Sequence, residues 1–206
     1  MTDSLTAHST PEIQKAAEFL KQWTILDPGG RQVDIRPGQR HLLKNSTNRH
    51  FLQYKEQKWG INIGFSDNAA PSTAAKVVHW ELLNQHRTPV KYDEPVAIRC
   101  KDDYLRYGSR TVGINLVWSD NAVFEWRLLG GKPGTPVRTR DSLSIFNMHS
   151  ENGEPLIYFQ REIGGNIGWP SSKTLTEQGL DWAKDTVQKA VVEYLKSQAG
   201  SQAGGK

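Results

Sequence analysis

An all-β domain assembled from three copies of a four-strand unit is predicted by three observations on the 206-residue chain. A gapless pattern recurs as "LQYKEQKWGINIGF" at 52–65, "LRYGSRTVGINLVW" at 105–118 and "LIYFQREIGGNIGW" at 156–169, at offsets of 53 and 51 residues. Within each copy apolar residues alternate with polar ones, the two-residue period of a half-buried strand. A tryptophan strand recurs as well, since "KQWTIL", "VHWELL" and "FEWRLL" place Trp23, Trp80 and Trp126 alike. Self-similarity at such a period governs the reading of everything else.

Each unit builds up from four apolar segments. The first is "HLLKN" at 41–45, "VAIRC" at 96–100 or "LSIFN" at 143–147. The second and third are the two halves of the shared pattern, joined by a polar turn. Leu52 and Tyr54 lie two apart and share a face, as do Ile61, Ile63 and Phe65, while Asn62 points the other way. The fourth carries the tryptophan. In the third copy the chain runs after Trp169 into "PSSKTLTEQGLDWAKDTVQKAVVEYLKSQ", so its fourth strand is expected from the start of the chain, with Trp23 closing the set.

Four positions are identical in all copies: Leu52, Leu105 and Leu156; Tyr54, Tyr107 and Tyr158; Gly60, Gly113 and Gly164; Asn62, Asn115 and Asn166. Leucine, tyrosine and tryptophan kept at every copy are expected to pack a shared core. The glycines are expected to take a positive φ or a close approach in the turn between strands, and the asparagines to bond backbone across that hairpin.

Three copies of a four-strand unit, each with a fourth-strand tryptophan, resemble the β-trefoil superfamily over roughly residues 22–170. The wording "VAIRCKDDYLRY…GINLVWSDNAVFEWRLL" looks most like fascin-like and amaranthin-type lectin repeats. It does not look like the ricin-type lectins, because Val78 and Phe124 stand where their Gln-x-Trp would need glutamine. The resemblance implies a β-trefoil at 22–172. A short helical segment precedes it at 1–21, where Thr10, Pro11 and the stripe Ile13, Ala16, Ala17, Leu20 mark a helix start and one apolar face. An amphipathic helix is expected at 173–197, with Leu180, Val187, Val191 and Leu195 on one stripe, and a disordered Gly- and Ser-rich tail at 198–206.

Composition excludes several classes of function. Apolar residues make up 36%, and no apolar run is long enough to span a bilayer. The first twenty residues lack a basic start and an apolar stretch, so the expected location is cytoplasmic, or outside by export without a conventional signal peptide. Net charge is +4 from scattered Lys and Arg, with no block of like charge and no RNA-binding aromatic signature, so nucleic acid is not an expected partner. The single cysteine, Cys100, excludes an internal disulfide and a cysteine zinc site and reads as a buried strand residue. His8, His41, His50, His79, His86 and His149 show no metal-ligand spacing, and no cofactor or metal is expected. No phosphate loop, nucleophile elbow or HExxH occurs, and Asp102, Asp103 and Glu151 show no pairing, so a non-catalytic protein is expected.

One motif stands in two copies and not in the third. "SDNA" at 66–69 and 119–122 becomes "PSSK" at 170–173. Ser, Asp and Asn bond nearby backbone and favour tight turns, which is the simpler reading. The alternative is a shallow sugar site: Asp67 and Asn68 with Phe65, and Asp120 and Asn121 with Trp118. Carboxylate and amide suit sugar hydroxyls, and an aromatic ring suits the sugar's C–H face. Carbohydrate is therefore the expected ligand. The other reading is a protein partner, cytoskeletal as the fascin-like resemblance implies, or that of a toxin or inhibitor component. A single trefoil could bundle filaments only as a dimer, for which the C-terminal helix is the expected contact. An enzyme with a site between helices and strands is a third class.

Overall fold

The computed structural model describes residues 10–67, 78–111, 113–149, 153–158, 160 and 165–169. The expected C-terminal helix and tail, Asn68 and Gly164 lie outside these residues. A helix α1, Thr10–Leu20, precedes the strands and buries Ala16, Ala17 and Leu20, the stripe read from the sequence. Everything else described is strand and loop, so the domain is all-β.

Six strands form the connected frame: β1 (Trp23–Leu26), β2 (Leu42–Asn45), β5 (Trp80–Leu83), β6 (Ala97–Cys100), β9 (Trp126–Leu129) and β10 (Ser142–Asn147). Antiparallel ladders join β1 to β2, β5 to β6 and β9 to β10, and in each the tryptophan opposes the last residue of the partner strand: Asn45, Cys100 or Asn147. Single bridges, His41 to Trp80 and Val96 to Trp126, carry the pairing from β2 to β5 and from β6 to β9. The first strand meets the third copy, since Trp23 pairs with Leu143 of β10. Followed in order, the pairings return to where they began.

Each copy adds a hairpin to this frame. These are β3 (Leu52–Gln53) with β4 (Gly64–Phe65), β7 (Asp103–Tyr107) with β8 (Leu116–Ser119), and β12 (Ile157–Tyr158) with β13 (Ile167–Gly168). A further short strand, β11 (Glu154–Pro155), pairs with β10. The units differ in length, which their shared pattern does not foretell. In the second copy β6 turns directly into β7 with Cys100 opposite Asp103, so the ladder runs on unbroken. In the first, Asn45 Oδ1 accepts from Thr47 N–H at 2.9 Å and from Asn48 N–H at 3.3 Å, which widens the turn and delays pairing.

The core explains the repeated letters. Trp23, Trp80 and Trp126 are fully buried, and their indole N–H groups donate to Leu156 O at 2.6 Å, Leu52 O at 2.8 Å and Leu105 O at 2.7 Å. The invariant leucine thus supplies both packing and an acceptor, and a buried indole nitrogen is left no other partner to seek. Each tryptophan also meets the third-strand aromatic of the copy that follows its own: Trp23 with Phe65 at 6.2 Å, Trp80 with Trp118 at 6.2 Å, Trp126 with Trp169 at 6.2 Å. Tyrosine completes these groups from a neighbouring copy, Tyr158 on Phe65 at 5.4 Å and Tyr54 on Trp118 at 5.9 Å. In the third group His149 stacks on Tyr107 at 3.6 Å and faces Trp169 at 6.3 Å.

The two ends of the core are closed differently. At one end three buried residues from the loops after the tryptophan strands bond in a ring: Ile35 N to Val137 O at 2.9 Å, Val137 N to Val90 O at 2.8 Å, and Val90 N to Ile35 O at 2.8 Å. At the hairpin turns, Gly60 and Gly113 take φ of 91° and 94°, and a Cβ on Gly113 would lie 3.3 Å from Gly60 Cα. Arg110 bridges the same two turns by donating to Gly60 O at 2.8 Å. Asn62 and Asn115 bond backbone across their hairpins, accepting from Gln57 N–H at 3.2 Å and Arg110 N–H at 3.1 Å. The expected roles of glycine and asparagine hold for these two copies.

His41, at the foot of β2, is buried, and neither ring nitrogen has a partner among the described residues. Burial holds its imidazole below the ordinary value near 6.5, against the weaker pull of Asp27 and Glu81. The folded chain therefore keeps the ring neutral while the unfolded chain takes up a proton first. Stability is expected to be highest above pH 6.5 and to fall as pH drops below it. Urea unfolding of the wild type and His41→Leu across pH 7.5 to 5 checks this; the variant should lose that part of the slope.

Candidate functional site

Strand order brings the first SDN segment to the mouth of a cleft of about 440 Å³ between the first and third copies. Phe65 on β4 and Tyr158 on β12 form its aromatic side, and His50, Lys55, Gln57 and Asp67 its polar side. The serine of the motif is structural. Ser66 is buried, its Oγ accepts from Phe51 N–H at 3.1 Å, and its own N–H donates to Phe51 O at 2.8 Å. His50 Nδ1–H donates to Ser66 O, which fixes the ring's tautomer because a carbonyl can only accept.

Asp67 then projects outward. Its side chain is 85% exposed and pairs with Lys55 Nζ at 2.5 Å, and that ammonium holds the carboxyl below the usual carboxylate range. Gln57 is set by its Nε2 donating to Ile63 O at 3.2 Å, while Asn62 Nδ2 donates to Tyr54 OH at 3.0 Å. A fixed carboxylate, ammonium, imidazole and amide thus surround one aromatic wall. Such a surface offers hydrogen bonds of both senses to a polyhydroxylated ligand.

The second SDN segment is built otherwise. Ser119 Oγ accepts from Asn121 N–H at 3.2 Å and closes a local turn, leaving Asp120 and Asn121 exposed beyond β8. Trp118 packs on Trp80 and Tyr54 as Phe65 packs on Trp23 and Tyr158. Of the six residues singled out in the sequence, Phe65 and Asp67 come together in a cleft; Asn68 lies outside the described residues. His50, Lys55, Gln57 and Tyr158 escaped the sequence reading. Only Tyr158 left a trace there, as one of the four invariant positions.

Among the described residues no group of three or more His, Cys, Asp or Glu could hold a metal ion, and no helix is long and apolar enough to cross a membrane. Cys100 is buried, and desolvation pushes its thiol up to about 11, which fits the packing role read for it. No protein-family model and no curated protein matches the chain.

Proposed function

We propose that the chain is a non-catalytic recognition module of β-trefoil topology that binds carbohydrate in the cleft beside Asp67. Three features support the topology: the cyclic order of the six frame strands, the three equivalent indole-to-carbonyl bonds, and the Ile35, Val90, Val137 ring. The observation that carries the function is the polar cleft itself, in which Asp67, Lys55, His50 and Gln57 face Tyr158 and Phe65. A pyranose fits this mixture, its hydroxyls bonding the polar groups and its C–H face resting on a ring edge.

The support falls on the first copy. Calorimetry with a panel of neutral monosaccharides is expected to find millimolar binding that Asp67→Asn weakens about tenfold. The unfolding midpoint should not move, because Asp67 is itself exposed and its bond among the described residues is a surface ion pair with Lys55. Asp120→Asn should leave binding unchanged. A large loss of stability in Asp67→Asn would instead assign the motif to the turn alone.

Trp59 favours a second reading, a protein-binding surface. It is 59% exposed, beside the junction of Gly60 and Gly113, while the other large apolar residues described are covered at least in part. Co-sedimentation with actin filaments, compared between wild type and Trp59→Ser, separates this reading from the first.

A further inference from the structure

The residue before each frame tryptophan does the same work in two of the three units and different work in the third. Gln22 Oε1 accepts from Tyr158 N–H at 2.8 Å and from Asn45 Nδ2 at 3.4 Å. Glu125 Oε1 accepts from Tyr107 N–H and from Asn147 Nδ2 at 2.8 Å. Both acceptors clamp the backbone of a neighbouring tyrosine with the help of an asparagine. In the remaining unit His79 stands where Gln22 and Glu125 do, and Cys100 replaces the asparagine. There Tyr54 N–H turns to the Cys100 sulfur. His79 is thereby released from the clamp, and neither of its ring nitrogens has a partner among the described residues although both are buried.

The freed imidazole lines a pocket of about 240 Å³ with Arg40, Glu81, Arg99, Lys101 and Asp102. Arg99 is anchored by Nη2 to Glu81 at 2.6 Å, and its Nε is buried without a partner among the described residues. Lys101, held at a φ of 58°, carries its ammonium 4.1 Å from the Tyr54 ring centre. Three permanent cations thus line the pocket with two carboxylates, one of them already engaged, which leaves one permanent positive charge in excess. Buried donors without acceptors are costly unless something supplies the acceptor. Arg40 also borders a wider cleft in which Arg31 and Arg138 are paired with Asp27 and Asp34, and Arg36 adds one more cation.

We propose that this pocket binds one monoanionic oxyanion group, the carboxylate or sulfate ester of a small ligand, through His79, Arg40, Arg99 and Lys101. A single negative charge offsets the excess cation, and planar or tetrahedral oxygens can accept from the guanidinium, ammonium and imidazole groups that line the pocket. The site stands apart from the cleft beside Asp67 and does not depend on neutral sugars binding there.

Titration of the full chain with glucuronate and with N-acetylglucosamine 6-sulfate, followed by the side-chain NMR signals of His79 and Arg99, tests the assignment. Saturable shifts are expected with one or both acids and none with glucose or N-acetylglucosamine. A response to glucuronate alone names a carboxylate ligand, and a response to the sulfate ester alone names a sulfated one. Arg40→Gln, at an exposed position, should weaken binding about tenfold. His79→Gln restores the residue type of Gln22 and should draw the amide into the tyrosine clamp, with binding lost and the unfolding midpoint kept. No saturation up to about 50 millimolar, equal shifts with the neutral sugars, or unchanged affinity in both variants overturns the proposal.

Discussion

Trp126→Ala is expected to destabilise the domain by about 3–5 kcal/mol, the cost of emptying a fully buried aromatic site. Set against a total of about 5–15 kcal/mol for an ordinary domain, that brings the chain close to unfolding at ambient temperature. Three losses combine. The indole leaves a cavity at the junction of β6, β9 and β10, Trp169 loses its neighbour at 6.2 Å, and Leu105 O loses its donor at 2.7 Å. Trp126→Phe separates the last loss from the first two. It keeps most of the apolar volume and removes the indole's hydrogen bond to Leu105 O, for about 0.5–1.5 kcal/mol. Urea unfolding of both variants, with the same pair made at Trp23 and Trp80, should give three similar sets. A tryptophan whose change to Phe costs nothing would show that its carbonyl bond is not part of the design.

Gly113→Ala is expected to cost more than Gly60→Ala, although both glycines take nearly the same positive φ. Left-handed backbone alone costs a side-chain-bearing residue about 1–2 kcal/mol, and both variants should show it. A Cβ on Gly60 would lie 4.0 Å from Gly113 Cα, whereas one on Gly113 would lie 3.3 Å from Gly60 Cα, where neither backbone can give way easily. The difference between the two variants therefore reads the close approach of two repeats. Equal effects would place the whole cost in the local turn.

Both expectations rest on positions that the repeat makes visible. A residue kept in every copy must fill the same niche three times, which is why Leu52, Trp80, Gly60 and Asn62 could be assigned before any coordinates. The ring of Ile35, Val90 and Val137 was hidden because it lies in the loops. Its trace was "TPVK" at 88–91 against "TPVR" at 135–138, and the first copy breaks it with "VDIR" at 33–36. Backbone groups make that ring, so any β-branched residue serves and identity is not required.

The sites were less legible for a related reason. Gln22 and Glu125 do the same work with different letters, because both offer an oxygen to a tyrosine N–H. Their likeness, and hence the departure of His79, appears only when the acceptors are seen in place. The SDN motif shows the converse, identical letters whose serines bond differently. Ser66 turns inward to Phe51, while Ser119 closes on Asn121, since β8 runs two residues longer than β4. The cleft beside Asp67 also draws Tyr158 from the opposite end of the chain, and no local window of sequence contains that pairing.

Carbohydrate recognition in the first copy is tested most directly by soaking crystals in mixed neutral monosaccharides and examining the surface around Asp67. The account predicts a pyranose bonded to the Asp67 carboxylate, with its C–H face toward Tyr158. Density beside Asp120 and Asn121 in its place, or bare solvent at both positions with no binding in solution at the same concentration, would contradict it.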